Sequence, residues 1–289
     1  MSNVVRISDG LGNQLFQYAF AYSVYKRTGE ELILDPMFIS PIRSYQLDKF
    51  HIDFSKRYVG EKLDYILGFG PKKARRFRLQ YRERKMKKDG YELVKERKEL
   101  EFDEPIYSER PAYYIGFWQS YKYFDEFYED IKRQIVLKDK LGDKAQGYSN
   151  QIKENISVSL HIRRTDYNRD VNNVCLNDTF YAQALKRMQE ELGEFKLFIF
   201  TDDKEFVKQN FQLYDYIIVE GTSDLEDFTL MQQCKHHIIA NSTFSWWAAY
   251  LAENKGGIVY APLADIWTRD FYLPEWNCIE TKVGNAEWK

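Results

Sequence analysis

Cysteine is scarce in this chain. There are three, Cys175, Cys234 and Cys278, an odd number at wide spacing. No Cys-x-x-Cys pair occurs, so neither a disulfide framework nor a cysteine zinc site is encoded, and a reducing compartment is expected. No run of about 18 apolar residues is present, which excludes a sequence-evident transmembrane helix. The amino-terminal MSNVVRISDG lacks the apolar centre of a signal peptide. The expectation is a cytoplasmic protein. Charge of one sign is also missing: the net charge is −2, which gives no global polyanion-binding signal, and nucleic acid is not an expected partner. The dinucleotide, P-loop, zincin and nucleophile-elbow patterns are absent. No two aspartates stand at i, i+2, so the Asp-x-Asp metal site of many manganese-dependent sugar transferases is missing. No metal and no cofactor are expected.

What is present is a regular alternation of strands and helices. At 289 residues the chain is long enough for one large or two medium domains. VVRI, a GLGNQ turn, a long helix ending at Gly29, and ELILD read as a β-α-β unit, which implies parallel pairing. From residue 72 to 88 the chain carries ten Lys/Arg and one Glu. That pattern predicts a basic amphipathic helix. It is either a solvated face or a patch for an anionic membrane surface or for substrate phosphates. Aromatics then concentrate in YYIGFWQSYKYF (113–124), and DEFYEDIKRQIVL reads as a helix. The polar stretch at 138–155 reads as a boundary. From residue 156 onward, strands ISVSLHI, KLFIF, DYIIVE, HIIAN and GGIVYA alternate with helical segments, among them DTFYAQALKRMQEEL with Asp178 as cap. This predicts an open parallel sheet with helices on both faces. The reading is two Rossmann-like domains, 1–150 and 151–289.

In open α/β sheets, ligands bind beyond the carboxyl ends of the strands. Four clusters fall there: GLGNQ, HIRRTDY (161–167), TDD (201–203) and NSTFSWW (241–247). The last three belong to one sheet and would converge on one crevice. Arg163 and Arg164 offer planar forks of donors matched to phosphate oxygens. Alternation along the chain should let one of them reach the site, while the other packs or pairs with an acid. His161 can hydrogen-bond a ligand or sit satisfied in the core. Asp202 and Asp203 can accept from a guanine edge or ribose hydroxyls, or cap the next helix. Ser242, Thr243 and Ser245 open a helix, a natural anion site, and plain capping by Ser242 is compatible with that role. Trp246 and Trp247 read as core. A diphosphate held without metal needs arginines and helix N-termini to neutralise it, and this chain supplies both.

DGLGNQLFQYAFAYSV, YYIGFWQSYKYF, SLHIRRTDY, FTDD and CKHHIIANSTFSWWAAYL together resemble the bacterial α-1,2-fucosyltransferases of glycosyltransferase family 11. The likeness runs from residue 4 to about residue 262. It implies a GT-B fold, in which the first domain binds acceptor and the second binds GDP-fucose. It also implies inverting, metal-independent transfer of fucose, usually to O2 of a galactose, in O-antigen or polysaccharide assembly. The partners implied are GDP-fucose and a galactose-terminated glycan; peripheral association with the inner face of the membrane is the sharper reading of the basic stretch at 72–88. By the same resemblance Arg163, with Arg164, grips the diphosphate; His161 and Asp203 contact the guanine nucleoside; and the Ser242–Ser245 turn, Phe244 included, binds phosphate. Asp166 is the candidate base, or else an ion-pair brace for the arginines, with Asp170 as the alternative base. One departure stands out: the family often has two glycines before LGNQ, and here Asp9 precedes Gly10. GLGNQ, Arg43–Phe50 and Tyr113–Phe124 are candidate acceptor linings. Trp118 and Tyr121 are candidates to stack on a sugar face, with core packing as the competing role.

Overall fold

The computed structural model describes residues 2–36, 39, 44–52, 72–104, 107–165, 175–212, 214–264 and 267–283, without the side chains of residues 72–76, 78 and 178. It divides into two compact units, Met1–Lys138 and Asp139–Lys289.

In the first unit the described strands are β1 (Asn3–Arg6), β2 (Leu32–Asp35), β3 (Glu92–Lys95) and β4 (Ala112–Ile115). They pair in the order β2-β1-β4-β3, parallel throughout. β3 and β4 carry too few residues for their alternation to stand out in the sequence. Helix α1 (Leu11–Thr28) is buried on nearly every side from Leu11 to Val24, so its apolar residues form no single stripe. It ends at Gly29, whose φ of 69° is the left-handed stop that glycine adopts without a Cβ penalty.

The predicted basic helix forms as α2 (Lys72–Lys88). Among its described side chains two are buried, Arg82 and Met86. Arg82 Nε donates to Asp35 Oδ2 at 3.0 Å, and the Tyr113 hydroxyl donates to the same oxygen at 2.9 Å. Asp35 ends β2 and is fully buried. One face of α2 is therefore pinned by charge and the other left to solvent. The aromatic segment continues through a short 3₁₀ turn, Asp125–Phe127, into α3 (Tyr128–Gln134).

The boundary expected near residue 150 falls inside α4 (Asp143–Glu154), which belongs to the second unit. This stretch looks polar because only Ala145, Ser149 and Ile152 face inward, a narrow stripe at helical spacing. Ser149 Oγ donates to Gln233 Oε1 at 2.7 Å, and Glu226 accepts from the Gly142 N–H at 2.9 Å, tying the helix to the second unit.

The second unit contains β5 (Ser157–Ile162), α5 (Asp178–Leu192), β6 (Lys196–Thr201), α6 (Lys204–Asn210) and β7 (Tyr216–Ile218). Then follow α7 (Asp224–Gln233), β8 (His236–Ile238), α8 (Thr243–Tyr250), β9 (Val259–Leu263) and β10 (Asn277–Glu280). The described strands form one parallel sheet in the order β10-β9-β8-β5-β6-β7. Counted from β5, this is the doubly wound order 3-2-1-4-5-6, whose direction reverses between β5 and β8. The predicted α/β architecture of two Rossmann-like units holds. GGIVYA is not the last strand, since β10 follows it. The cap of α5 is Asn177, which accepts from the Phe180 N–H, rather than Asp178: the helix begins one residue earlier than an Asp178 cap would require. Trp246 and Trp247 are core, as expected. Among the described residues no helix is long and apolar enough to cross a membrane.

The Arg82–Asp35 pair makes a stability prediction. Arg82→Met removes the arginine paired with a buried carboxylate and should destabilise the first unit by about 3–5 kcal/mol. Arg82→Met combined with Asp35→Leu should recover much of that loss. Urea unfolding of the three proteins, compared by midpoint and slope, measures both effects.

Candidate functional site

Three strand ends lie side by side at the switch point of the second sheet. β5 is flanked by β6 on one side and β8 on the other. The register aligns His161 with Phe200 and Ile162 with Thr201. Carried on past the strands, that register places Arg163 beside Asp202 and Arg164 beside Asp203. The side chains follow it: Arg163 Nε lies 3.5 Å from Asp202 Oδ2, and Arg164 Nε lies 3.4 Å from Asp203 Oδ2.

The two arginines differ in their surroundings. The Arg164 guanidinium lies 3.7 Å over the Phe206 ring, a cation–π stack, and its side chain is 17% exposed against 27% for Arg163. Arg164 is therefore the arginine that packs. Arg163 is the more open of the two, although both contacts with acids are long. Both pair with a carboxylate, where one such pairing was expected, because two consecutive acids follow β6.

Asp202 does more than balance charge. Its Oδ1 accepts the Arg164 N–H at 2.9 Å. Its Oδ2 accepts the Thr165 N–H at 3.2 Å and the Thr165 hydroxyl at 2.7 Å. One carboxylate thus shapes the backbone turn that carries both arginines. Asp203 Oδ1 accepts the Phe206 N–H at 3.1 Å and caps α6. Capping and arginine pairing therefore occupy both its oxygens.

His161 is buried at the end of β5, with its ring 5.8 Å from that of Phe244. Phe244 in turn contacts Phe228 at 5.4 Å. Ser242 occupies the N-cap position of α8 and makes no side-chain capping bond. Ser245 Oγ instead accepts the Ala240 N–H at 3.2 Å, fixing the loop between β8 and α8. Thr243 is half-buried in the first turn of α8. The structure thus brings His161, Arg163, Arg164, Asp202, Asp203 and the Ser242–Ser245 turn to one edge of one sheet. Asp166 and Asp170 lie outside the described residues. An open pocket of about 300 Å³, lined by Leu263, Trp267 and Thr281 among others, lies farther along the same edge, at β9 and β10.

Sequence reading passed over two groups. Asp227, in the first turn of α7, is half-buried and accepts the Thr222 hydroxyl. Burial, opposed by that bond, pushes its carboxyl up to about 6. Its visible signal is the capping box Ser223-Asp224-Leu225-Glu226 just ahead of it. His237 is fully buried on β8, with Nδ1 2.8 Å from Ser159 Oγ, and burial pushes its pKa down to about 3. It is a neutral core histidine.

In the first unit, GLGNQ organises backbone. Gln14 Nε2 donates to the carbonyls of Asp9 and Ser44, and its Oε1 accepts the Gln46 N–H. Gln17 accepts the Ser8 N–H at 2.8 Å and donates to the Gly116 carbonyl at 3.1 Å. Asp9 has a φ of 65°. That left-handed conformation costs glycine nothing and is tolerable for aspartate, which accounts for a position where glycine is common. Trp118 is fully buried and stacked on Phe20 at 4.0 Å, so it is a core residue and not a sugar platform. Arg43, at the edge of the RSYQLDKF segment, lies outside the described residues.

With this geometry in place, comparison with known proteins is decisive about kinship. The model of glycosyl transferase family 11 matches residues 2–280. The chain belongs to this family. An α-1,2-colitosyltransferase of Escherichia coli is 30% identical over 90% of each chain. The O-antigen biosynthesis glycosyltransferase WbnK of Escherichia coli is 26% identical, over 89% of this chain and 92% of that one. The human galactoside α-(1,2)-fucosyltransferase 1 is 27% identical over 56% of this chain and 50% of its own. Among solved structures, the fucosyltransferase NodZ from Bradyrhizobium is similar at a TM-score of 0.49 and 17% identity, over 86% of this chain and 93% of that one. Two segments that carried the resemblance, NSTFSWW and the described part HIRRT of HIRRTDY, line the switch point of the second sheet.

If Asp202 is what shapes the arginine turn, Asp202→Ala should speed amide exchange at Arg164 and Thr165 by about tenfold or more while β5 stays protected. Residue-resolved hydrogen exchange reads this directly. Unchanged rates at both amides would show that the turn holds without the carboxylate.

Proposed function

We propose that this family 11 glycosyltransferase moves L-fucose from GDP-fucose to the O2 hydroxyl of a galactose in an oligosaccharide or lipid-linked glycan, with inversion at the anomeric carbon and without a metal. The observation that carries this reading is the paired arginine turn, braced by Asp202 at the reversal point of a doubly wound sheet. The names of the relatives, which speak of 1,2-transfer and O-antigen biosynthesis, support the linkage and the setting.

The acceptor oxygen attacks C1 of the sugar as the bond from C1 to the β-phosphate oxygen breaks. Positive charge builds on the ring and negative charge on the departing GDP. A guanidinium at the β-phosphate stabilises that charge most in the transition state, which is where binding accelerates reaction. Arg163 takes this role. Arg164, held by Phe206 and Asp203, sets the turn and adds positive potential. His161 and Asp203 are assigned to the guanine nucleoside, and the α8 N-terminus, with Ser242, Thr243, Phe244 and Ser245, offers the positive end of a helix to phosphate. Asp202 is the brace of the turn. The acceptor proton passes to a carboxylate within reach, for which Asp166 and Asp170 remain the candidates. The acceptor itself rests on the first unit.

A second donor reading has its own support, because the 30% identical relative is named for colitose transfer. Colitose is L-fucose without the 3-hydroxyl, so a single hydrogen-bond partner could separate the two donors. A panel of GDP-fucose and a colitose nucleotide against simple β-galactosides, run in EDTA with linkage analysis of products, tests donor, position and metal independence together. Arg163→Ala is expected to lower kcat/KM by about 100-fold or more, and Arg163→Lys should fail nearly as badly, since an ammonium lacks the planar fork. Near-normal turnover by Arg163→Ala overturns the assignment.

We also place the protein in the cytoplasm, at an anionic membrane surface, through α2. Phe77 is 61% exposed, and Arg84 and Lys88 on the same stripe are exposed, opposite the buried Arg82 and Met86. A basic face with an aromatic wedge suits anionic headgroups. Cosedimentation with vesicles containing phosphatidylglycerol should drop several-fold in Phe77→Ser/Arg84→Glu/Lys88→Glu, with transfer to a soluble acceptor unchanged. Equal binding of the wild type to neutral phosphatidylcholine vesicles would remove this surface from the account.

A further inference from the structure

Glu96 follows β3 directly, and its N–H extends the ladder to β4 by bonding the Ile115 carbonyl at 2.9 Å. Its side chain lies at the turn that follows β4. Oε2 accepts the Phe117 N–H at 2.7 Å and Oε1 accepts the Trp118 N–H at 2.9 Å. A Cβ at Gly116 would lie 2.5 Å from Glu96 Cβ and 2.8 Å from Oε2, so the glycine is what lets the carboxyl approach. Trp118 has a φ of 59°, a left-handed conformation that a bulky residue keeps only under constraint. Its indole stack on Phe20 constrains the turn from the core, and the Glu96 carboxyl constrains it through the backbone.

The turn is also tied to GLGNQ. Gln17 holds the Gly116 carbonyl, and Gln119 Nε2 donates to Asn13 Oδ1 at 2.9 Å. Both segments follow the neighbouring strands β1 and β4, where the order of the first sheet reverses. Ligands of open α/β sheets bind at that kind of place.

We propose that Glu96 is a positioning residue for the acceptor: its carboxyl holds the backbone of residues 117–119 so that this turn and the GLGNQ loop present one fixed surface to the acceptor sugar. This rests on the reading that the first unit takes the acceptor. The clamp is sensitive to pH. Burial pushes the Glu96 carboxyl up to about 7; the charge of Glu99 adds to this, and the N–H groups of Phe117, Trp118 and Gln119 oppose it. Tyr123, the other ionisable group coupled to Glu96, is itself raised by burial and stays neutral. The closed turn therefore holds the proton more tightly than an open, hydrated one, whose carboxyl returns to its ordinary value of 4.5. Protonation favours the closed turn, and its hold weakens as pH rises through about 7.

Glu96→Gln keeps an acceptor oxygen without a burial cost, whereas Glu96→Ala removes the clamp. Glu96→Ala is expected to raise the acceptor KM about tenfold, with the KM for GDP-fucose and its slow hydrolysis within twofold of wild type; Glu96→Gln should stay near wild type. Amide exchange of the 115–121 segment supplies a readout independent of catalysis. In the wild type, opening should increase about tenfold or more from pH 5.5 to 8.5 beyond the chemical rate, and in Glu96→Gln it should not change. An unchanged acceptor KM in Glu96→Ala, or equal rises for donor and acceptor, overturns the proposal. So does a wild-type exchange profile that Glu96→Gln reproduces, a comparison that decides even if Glu96→Ala does not fold. Absence of any turnover of GDP-fucose by the wild type would instead strike the donor reading, leaving the exchange result to judge the clamp.

Discussion

A carboxylate that accepts consecutive backbone N–H groups just past a strand is the constraint on which this structure turns. In the second unit Asp202 takes the N–H groups of Arg164 and Thr165. In the first, Glu96 takes those of Phe117 and Trp118. Past the end of a strand the ladder no longer satisfies the backbone, and a buried or half-buried amide without a partner is costly. A carboxylate with two oxygens can satisfy two amides at once and so dictate a turn. The side chains on that turn then inherit a fixed position without making the bonds that fix it.

This division of labour explains the arginine pair. Arg164 packs on Phe206 and leans on Asp203, which is itself committed to capping α6. Arg163 keeps a long contact to Asp202 and more exposure. Among the described residues each arginine faces one carboxylate, so both guanidinium groups are oriented and partly desolvated. Preorganised donors cost no rearrangement when charge develops.

The first unit shows the same logic in its amides and aromatics. GLGNQ looked like a candidate lining, yet Gln14 and Gln17 spend their amide groups on the carbonyls and N–H groups of adjoining loops. Trp118 looked like a candidate platform and is a core residue whose backbone is strained. Both were open for one reason: polar and aromatic residues at strand ends are chemically suited to ligands and equally suited to holding loops. Composition does not separate the two roles, whereas burial and hydrogen-bond partners do.

Much was legible in the residues alone. Strand-length apolar runs marked β5 and β6, helical periodicity marked α2 and α5, and the three strand-end clusters of the second unit marked the edge where its candidate site lies. These are local properties, written in the spacing of apolar side chains. The narrow stripe of α4, the short strands β3, β4 and β10, and the roles of Asp202 and Glu96 were not legible, because each depends on a partner distant in the chain. The decisive quantity is register. Pairing His161 with Phe200 sets which acid meets which arginine, and a slip of one residue would turn every side chain of the strand to the other face. The sequence determined that two arginines and two aspartates would stand at strand ends of one sheet. Only the tertiary structure decided that one aspartate would shape the turn, that the other would cap a helix, and which arginine would pack on a ring and which would stay more exposed.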